Sequence, residues 1–280
     1  MLKVRILAAI CLVSGSIFGS ANAEPATKSV DLKDASAAAE DWKFVVTTTD
    51  RTLPADPDTD WDEDKTESCY AMWKGGTPDP EITCTFSTAA TAIPEWEGAP
   101  ATVGFQRHFG RAEVVYAASG APFFLVATYS EPSVNGSRAR STILFAYDRS
   151  SASFHAAFAA VVGTNNNQEI RFVQNGPLTG DVIVIQPGVF RHGSRPYGYD
   201  VSVFRPSDCC SYSQVLRYRS MTSYGDGNKL AVIDAEMAEI LRQLGHWKAG
   251  MPLPQPERRP DGCDTLKLVR GVEWCASATP

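Results

Sequence analysis

Five aspartates alternate along Asp56, Asp58, Asp60, Asp62 and Asp64, and Glu67 falls at the twelfth position counted from Asp56. Oxygen ligands at alternate positions, closed by a carboxylate at the twelfth, are what a hard cation such as calcium takes from a loop. The sixth position is Trp61, where the sharp turn of such a loop uses glycine. The stretch over 51–67 therefore reads as a solvated acidic loop. Weak calcium binding through Asp56, Asp58, Asp60, Asp62 and Glu67 is its functional alternative.

A second group is Asn165, Asn166 and Asn167 with Gln168, followed by Glu169. Asparagine tolerates positive φ and bonds its own backbone, so the tract reads as a structured turn. The same amides could hold a polar ligand such as a sugar or a peptide edge. A third group is Ser223 to Asn228, in which Tyr224 and Asp226 alternate with glycines that permit a tight backbone. A fourth runs from Arg191 to Tyr199, where Tyr197 could stack on a sugar; exposing several aromatics is costly, so Tyr197 or Tyr199 should pack inward. The ligand-binding candidates are accordingly Asn165, Asn166, Asn167, Glu169, Tyr197, Tyr224 and Asp226.

The sequence contains no GxSxG elbow, no HExxH, no Walker loop and no GxGxxG opening a helix. Its four histidines form no metal-ligand spacing. Paired carboxylates for glycoside hydrolysis are defined in space rather than along the chain, so Glu169, Asp181 and Asp226 are the acids to inspect. No cofactor is expected. The formal charge of −6, without a basic stripe, argues against a nucleic-acid partner.

Cysteine usage adds a compartment. Lys3 and Arg5 precede an apolar run, Ile6 to Val13, and small residues lead to Ala21-Asn22-Ala23. This is the order of a secretory leader cleaved after Ala23, and the run is too short for a membrane span. Outside residues 1–23 lie six cysteines, an even number that suits disulfides in an exported chain. Cys69 and Cys84 flank a turn cluster, and Cys263 and Cys275 flank a short strand-like passage; each pair reads as a local staple. Cys209 and Cys210 are adjacent and form either a strained ring or a dithiol.

The elements that must position these groups are mostly strands. Short β-prone runs recur between turn signals such as Asn135-Gly136, Asn175-Gly176-Pro177 and Gln186-Pro187-Gly188. Val182 to Ile185 is apolar at every position and predicts a strand buried on both faces. Phe154 to Val162 is open between strand and helix, and Glu24 to Glu40 reads as a flexible leader or poor helix. One helix is predicted over 234–244: Ile233, Met237, Ile240, Leu241 and Leu244 fall on one face. Asp234 should cap it by accepting the Met237 amide, Gly245 should end it, and Glu236, Glu239, Arg242 and Gln243 should lie outside. Pro252 to Pro260 holds four prolines and should cross the surface as a strap.

The expected architecture is mainly β: residues 24–280 as one domain, a sandwich-like stack of short antiparallel strands with one C-terminal amphipathic helix. An α+β or small propeller-like arrangement is the alternative. The expected function is a secreted or periplasmic, non-catalytic protein that binds an envelope or extracellular protein or a carbohydrate. A hydrolase of cell-wall or extracellular polymers is the competing class.

Overall fold

The computed structural model describes residues 26–36, 42–52, 64–74, 91–92, 102–103, 106, 108–164, 167–188, 198–207, 211–220 and 227–276. The first sheet is a meander of β1 (Ala26–Asp31), β2 (Trp42–Thr52) and β3 (Asp64–Lys74). A single helical turn, α1 (Lys33–Ser36), joins its first two strands. A small ladder pairs β4 (Thr91–Ala92) with β5 (Thr102–Val103). The second sheet is a meander of β6 (His108–Tyr116), β7 (Pro122–Tyr129), β8 (Ala139–Asp148) and β9 (Ser153–Gly163). The third is a meander of β10 (Glu169–Phe172), β11 (Val182–Pro187), β12 (Tyr199–Pro206) and β13 (Tyr212–Arg219). Helix α2 (Val232–Gln243) and a hairpin of β14 (Thr265–Val269) and β15 (Val272–Ala276) follow. All described strand pairs are antiparallel; the fold is mainly β and sandwich-like, and the described strands close no barrel.

Alternation along the strands sets the layers. On β7, Phe123, Leu125 and Ala127 face the third sheet, and Phe124 and Val126 face the first. The second sheet is thus buried on both sides. Phe158 fills the layer beneath the third sheet, 5.2 Å from Phe204 and 5.7 Å from Tyr212 between ring centres. On the other side Phe44 meets Phe124 at 5.0 Å. The alanines of Phe154 to Val162 belong to a strand: Ala157 and Ala160 face the third sheet, and Ala156 and Ala159 face the first.

β11 is internal in its sheet, and Val182, Ile183, Val184 and Ile185 are all fully buried, as the uninterrupted apolar run predicts. Val182 and Val184 face the second sheet. Ile183 and Ile185 face α2, where Ile233, Ile240 and Leu241 pack against them with Val201 and Val203. Gly245 adopts φ 76° and ends α2: its amide donates to Arg242 O at 3.2 Å, and His246 N donates to Leu241 O at 2.8 Å. These paired bonds satisfy carbonyls that would otherwise be orphaned.

The start of the chain departs from expectation. Within 24–40, β1 pairs along β2 and α1 turns beneath it, with Leu32 and Ala35 buried against the second sheet. Backbone pairing to β2 supplies what the weak strand propensity lacks. The acidic loop is also shorter than 51–67, since β2 runs to Thr52 and β3 begins at Asp64. Ladder bonds join main chains and tolerate charged residues at the far end of a hairpin. The helix count differs too: α1 joins the predicted C-terminal helix.

Candidate functional site

β10 carries Ile170 and Phe172 into the layer shared with the second sheet. Its alternate residues, Glu169 and Arg171, therefore rise on the α2 side. Arg171 stands there against the first turn of α2, with its side chain only 12% exposed. Its Nη1 donates to Asp234 Oδ1 at 2.5 Å and its Nη2 to Asp234 Oδ2 at 3.2 Å. Its Nε donates to Glu169 Oε1 at 2.8 Å, and Nη2 reaches Glu169 Oε2 at 3.2 Å. Burial alone would lower the Arg171 pKa, but the hydrogen bonds and charges of Asp234 and Glu169 outweigh it and hold the guanidinium above its ordinary value.

The strap adds the third carboxylate. Glu257 Oε2 lies 3.1 Å from Arg171 Nε, and the Glu257 amide donates to Asp234 Oδ1 at 3.2 Å. Trp247 fixes the strap's start: buried beside α2, it donates Nε1–H to Pro252 O at 3.0 Å. Asp234 is therefore not a cap. Ala231 occupies the N-cap and no side-chain cap bond forms, because the Asp234 carboxylate is drawn to the part-buried guanidinium. Glu236 is likewise 1% exposed rather than outside, accepting the Tyr218 hydroxyl at 2.9 Å. The exposed face of α2 is carried by Glu239, Arg242 and Gln243, which bond one another.

Two clefts open on either side of this ion centre. The first, about 430 Å³, lies between α2, the strap and the turn after β10. Its walls are aliphatic, from Val173, Leu178, Met237, Leu241 and Pro254, and Gln174, Asn175 and Gln255 place amides around it. The second, about 740 Å³, is polar and shares Arg171, Asp234 and Glu257 with the first.

Of the sequence-selected residues, Glu169 belongs to this centre. Asn167 takes φ 58° as expected of a turn asparagine, and Gln168 Oε1 accepts the Gly163 amide at 2.9 Å. That makes the described part of the tract a turn bonded to its own backbone. Asp181 sits at the other end of the third sheet, buried and held by Arg205 at 2.7 and 3.0 Å. Val173 N donates to Asp181 O, so Asp181 stands four positions beyond Glu169, about 13 Å along the strand. Tyr199 packs inward at 2% exposure. Asn165, Asn166, Tyr197, Tyr224 and Asp226 lie outside the described residues, as do Asp56, Asp58, Asp60, Asp62, Cys84, Cys209 and Cys210. The backbones of Glu67 and Cys69 lie in β3, opposite Thr49 and Thr47. Cys263 and Cys275 form a disulfide. Among the described residues no cluster of acids, histidines and cysteines has metal-binding geometry, and no helix is long and apolar enough to cross a membrane.

No spacing along the chain relates Arg171, Asp234 and Glu257 to one another. Local signals mark two of the three: an arginine between the apolar Ile170 and Phe172, and an aspartate beside the apolar stripe of α2. The chain matches no known protein family, no characterised protein and no solved structure.

Proposed function

We propose that this chain is an exported, non-catalytic binding protein of the periplasm or extracellular space, and that its aliphatic cleft takes a peptide segment of a protein partner. One observation carries the reading: a cleft of about 430 Å³ combines aliphatic walls with amides from Gln174, Asn175 and Gln255. Apolar walls with a few placed polar groups are the usual make-up of a binding pocket. Amides can pair with peptide N–H and C=O groups while an apolar side chain fills the cleft. A sugar ring would favour an aromatic face, which this lining does not provide. Glu169 and Asp234 are engaged by Arg171, so these acids hold the third sheet, α2 and the strap together. The leader over residues 1–23, outside the described part, and the Cys263–Cys275 disulfide support export to an oxidising compartment.

The test is an array of terminally blocked peptides and of glycans, probed with the exported chain and with Met237→Lys, which puts a charge into the aliphatic wall. Peptide binding that the variant loses is the expected result. Release of cleaved products would replace this reading with the hydrolase, and glycan-only binding would move the partner class to carbohydrate. Amino-terminal sequencing of the exported chain should begin at Glu24.

A further inference from the structure

We infer that the bound peptide carries a carboxylate, held in the polar cleft by Lys229, Arg258 and Arg259 while its apolar side chain occupies the aliphatic cleft. This rests on the peptide-binding reading above and adds the charge of the ligand. The two clefts share Arg171, Asp234 and Glu257, so they are two lobes around one ion centre rather than separate sites.

The charges in the polar lobe are unevenly committed. Glu169, Asp234 and Glu257 all gather on Arg171. Lys229 and Arg258 line the same lobe, are exposed, and make no ion pair among the described residues. Arg259 donates Nη2–H to Gln255 Oε1 at 3.2 Å, which leaves its charge uncompensated. Asp261 is the remaining acid in this lining, so the side away from Arg171 carries an excess of positive charge. A Cβ at Gly262, in the turn before β14, would lie 3.2 Å from Lys229 Nζ, so the ammonium lies close to the Gly262 backbone. In a concave lobe, cations to which no described carboxylate is paired favour an incoming carboxylate and fix its register.

The experiment uses the blocked-peptide array, with each acidic member paired to its neutral amide isostere, and titration calorimetry on the binders. Acidic members should bind about tenfold more tightly than their isosteres at low salt, and the margin should shrink at about 0.5 M salt. Lys229→Ala combined with Arg258→Ala should bring the preference to within about twofold, and the charge-conserving pair Lys229→Arg with Arg258→Lys should keep most of it. Equal binding of acid and isostere, still lost in Met237→Lys, would overturn the charge assignment and leave the peptide reading standing. An array without any binder sensitive to Met237→Lys would remove both.

Discussion

Asn228 Nδ2 donates to the carbonyl oxygen of Glu273 at 2.7 Å, joining the lead-in of α2 to β15 across 45 residues of chain. The same side chain accepts from the amides of Leu230 and Cys275, each at 3.2 Å. One amide thus serves as a short strand partner for the hairpin. Asn228→Ala would leave these main-chain groups unpaired at a part-buried seam, and the expected loss is about 1–3 kcal/mol. Denaturant melts should show it; a change below about 0.5 kcal/mol, the level of an indifferent surface substitution, would mean that water replaces the amide.

Glu273 itself is 1% exposed, and its Oε1 has no hydrogen-bond partner among the described residues. Burial pushes its pKa up to about 7; the nearby Asp234 charge adds to this, and a backbone hydrogen bond from Ala238 opposes it. A raised carboxyl pKa means the folded state holds the proton more tightly than the unfolded chain. The stability it contributes is full below the unfolded value near 4.5 and is lost as pH rises through about 7. Glu273→Gln should therefore match the parent near pH 4 and exceed it at pH 8 by up to about 3 kcal/mol. Melting curves at the two pH values check this, and an equal offset at both would deny the titration.

Arg171 and Asp234 form a part-buried pair, so removing one partner strands the other's charge. Arg171→Met should cost about 3–5 kcal/mol, while Arg171→Met with Asp234→Leu should recover much of the loss. A double-mutant cycle measures the coupling directly. Additive losses would show that the two side chains do not act together.

α2 offers a paired comparison. Leu241 is 7% exposed and packs on the third sheet, so Leu241→Ala should cost about 2–5 kcal/mol. Glu239 lies on the outer side, bonded to Arg242 and Gln243, and Glu239→Ala should stay within about 0.5–1 kcal/mol. Similar small losses for both would place the helix outside the core.

The Cys263–Cys275 disulfide closes a loop of sequence separation 12 beside α2. Replacing both cysteines with serine should destabilise the chain by roughly 2–4 kcal/mol, chiefly by freeing the unfolded ensemble. Non-reducing peptide mapping should recover the link, and recovery of both residues as thiols in the exported protein would contradict it.

Local pattern by itself determined much of this protein. The apolar run from Val182 to Ile185 required a strand covered on both faces, because each of its side chains seeks burial whichever way the pleat turns it. The spacing of Ile233, Met237, Ile240, Leu241 and Leu244 required a helix with one buried side, and Gly245 its end. The closeness of Cys263 and Cys275 required only a hairpin to bring them together. These inferences hold because periodicity and short loops are properties of neighbouring residues. The ion centre is different: Arg171 and Asp234 are 63 residues apart, and Glu257 is a further 23 beyond Asp234. No spacing relates them. They meet because β10 turns Arg171 toward the face that α2 covers, and because the strap crosses at the helix's first turn. Asp234 and Glu236 looked like a cap and an outer residue, since a helical wheel shows angle but not what stands opposite. A guanidinium facing Asp234 and a tyrosine hydroxyl facing Glu236 made burial of those carboxylates favourable, and only the stacking of the third sheet on α2 could put them there.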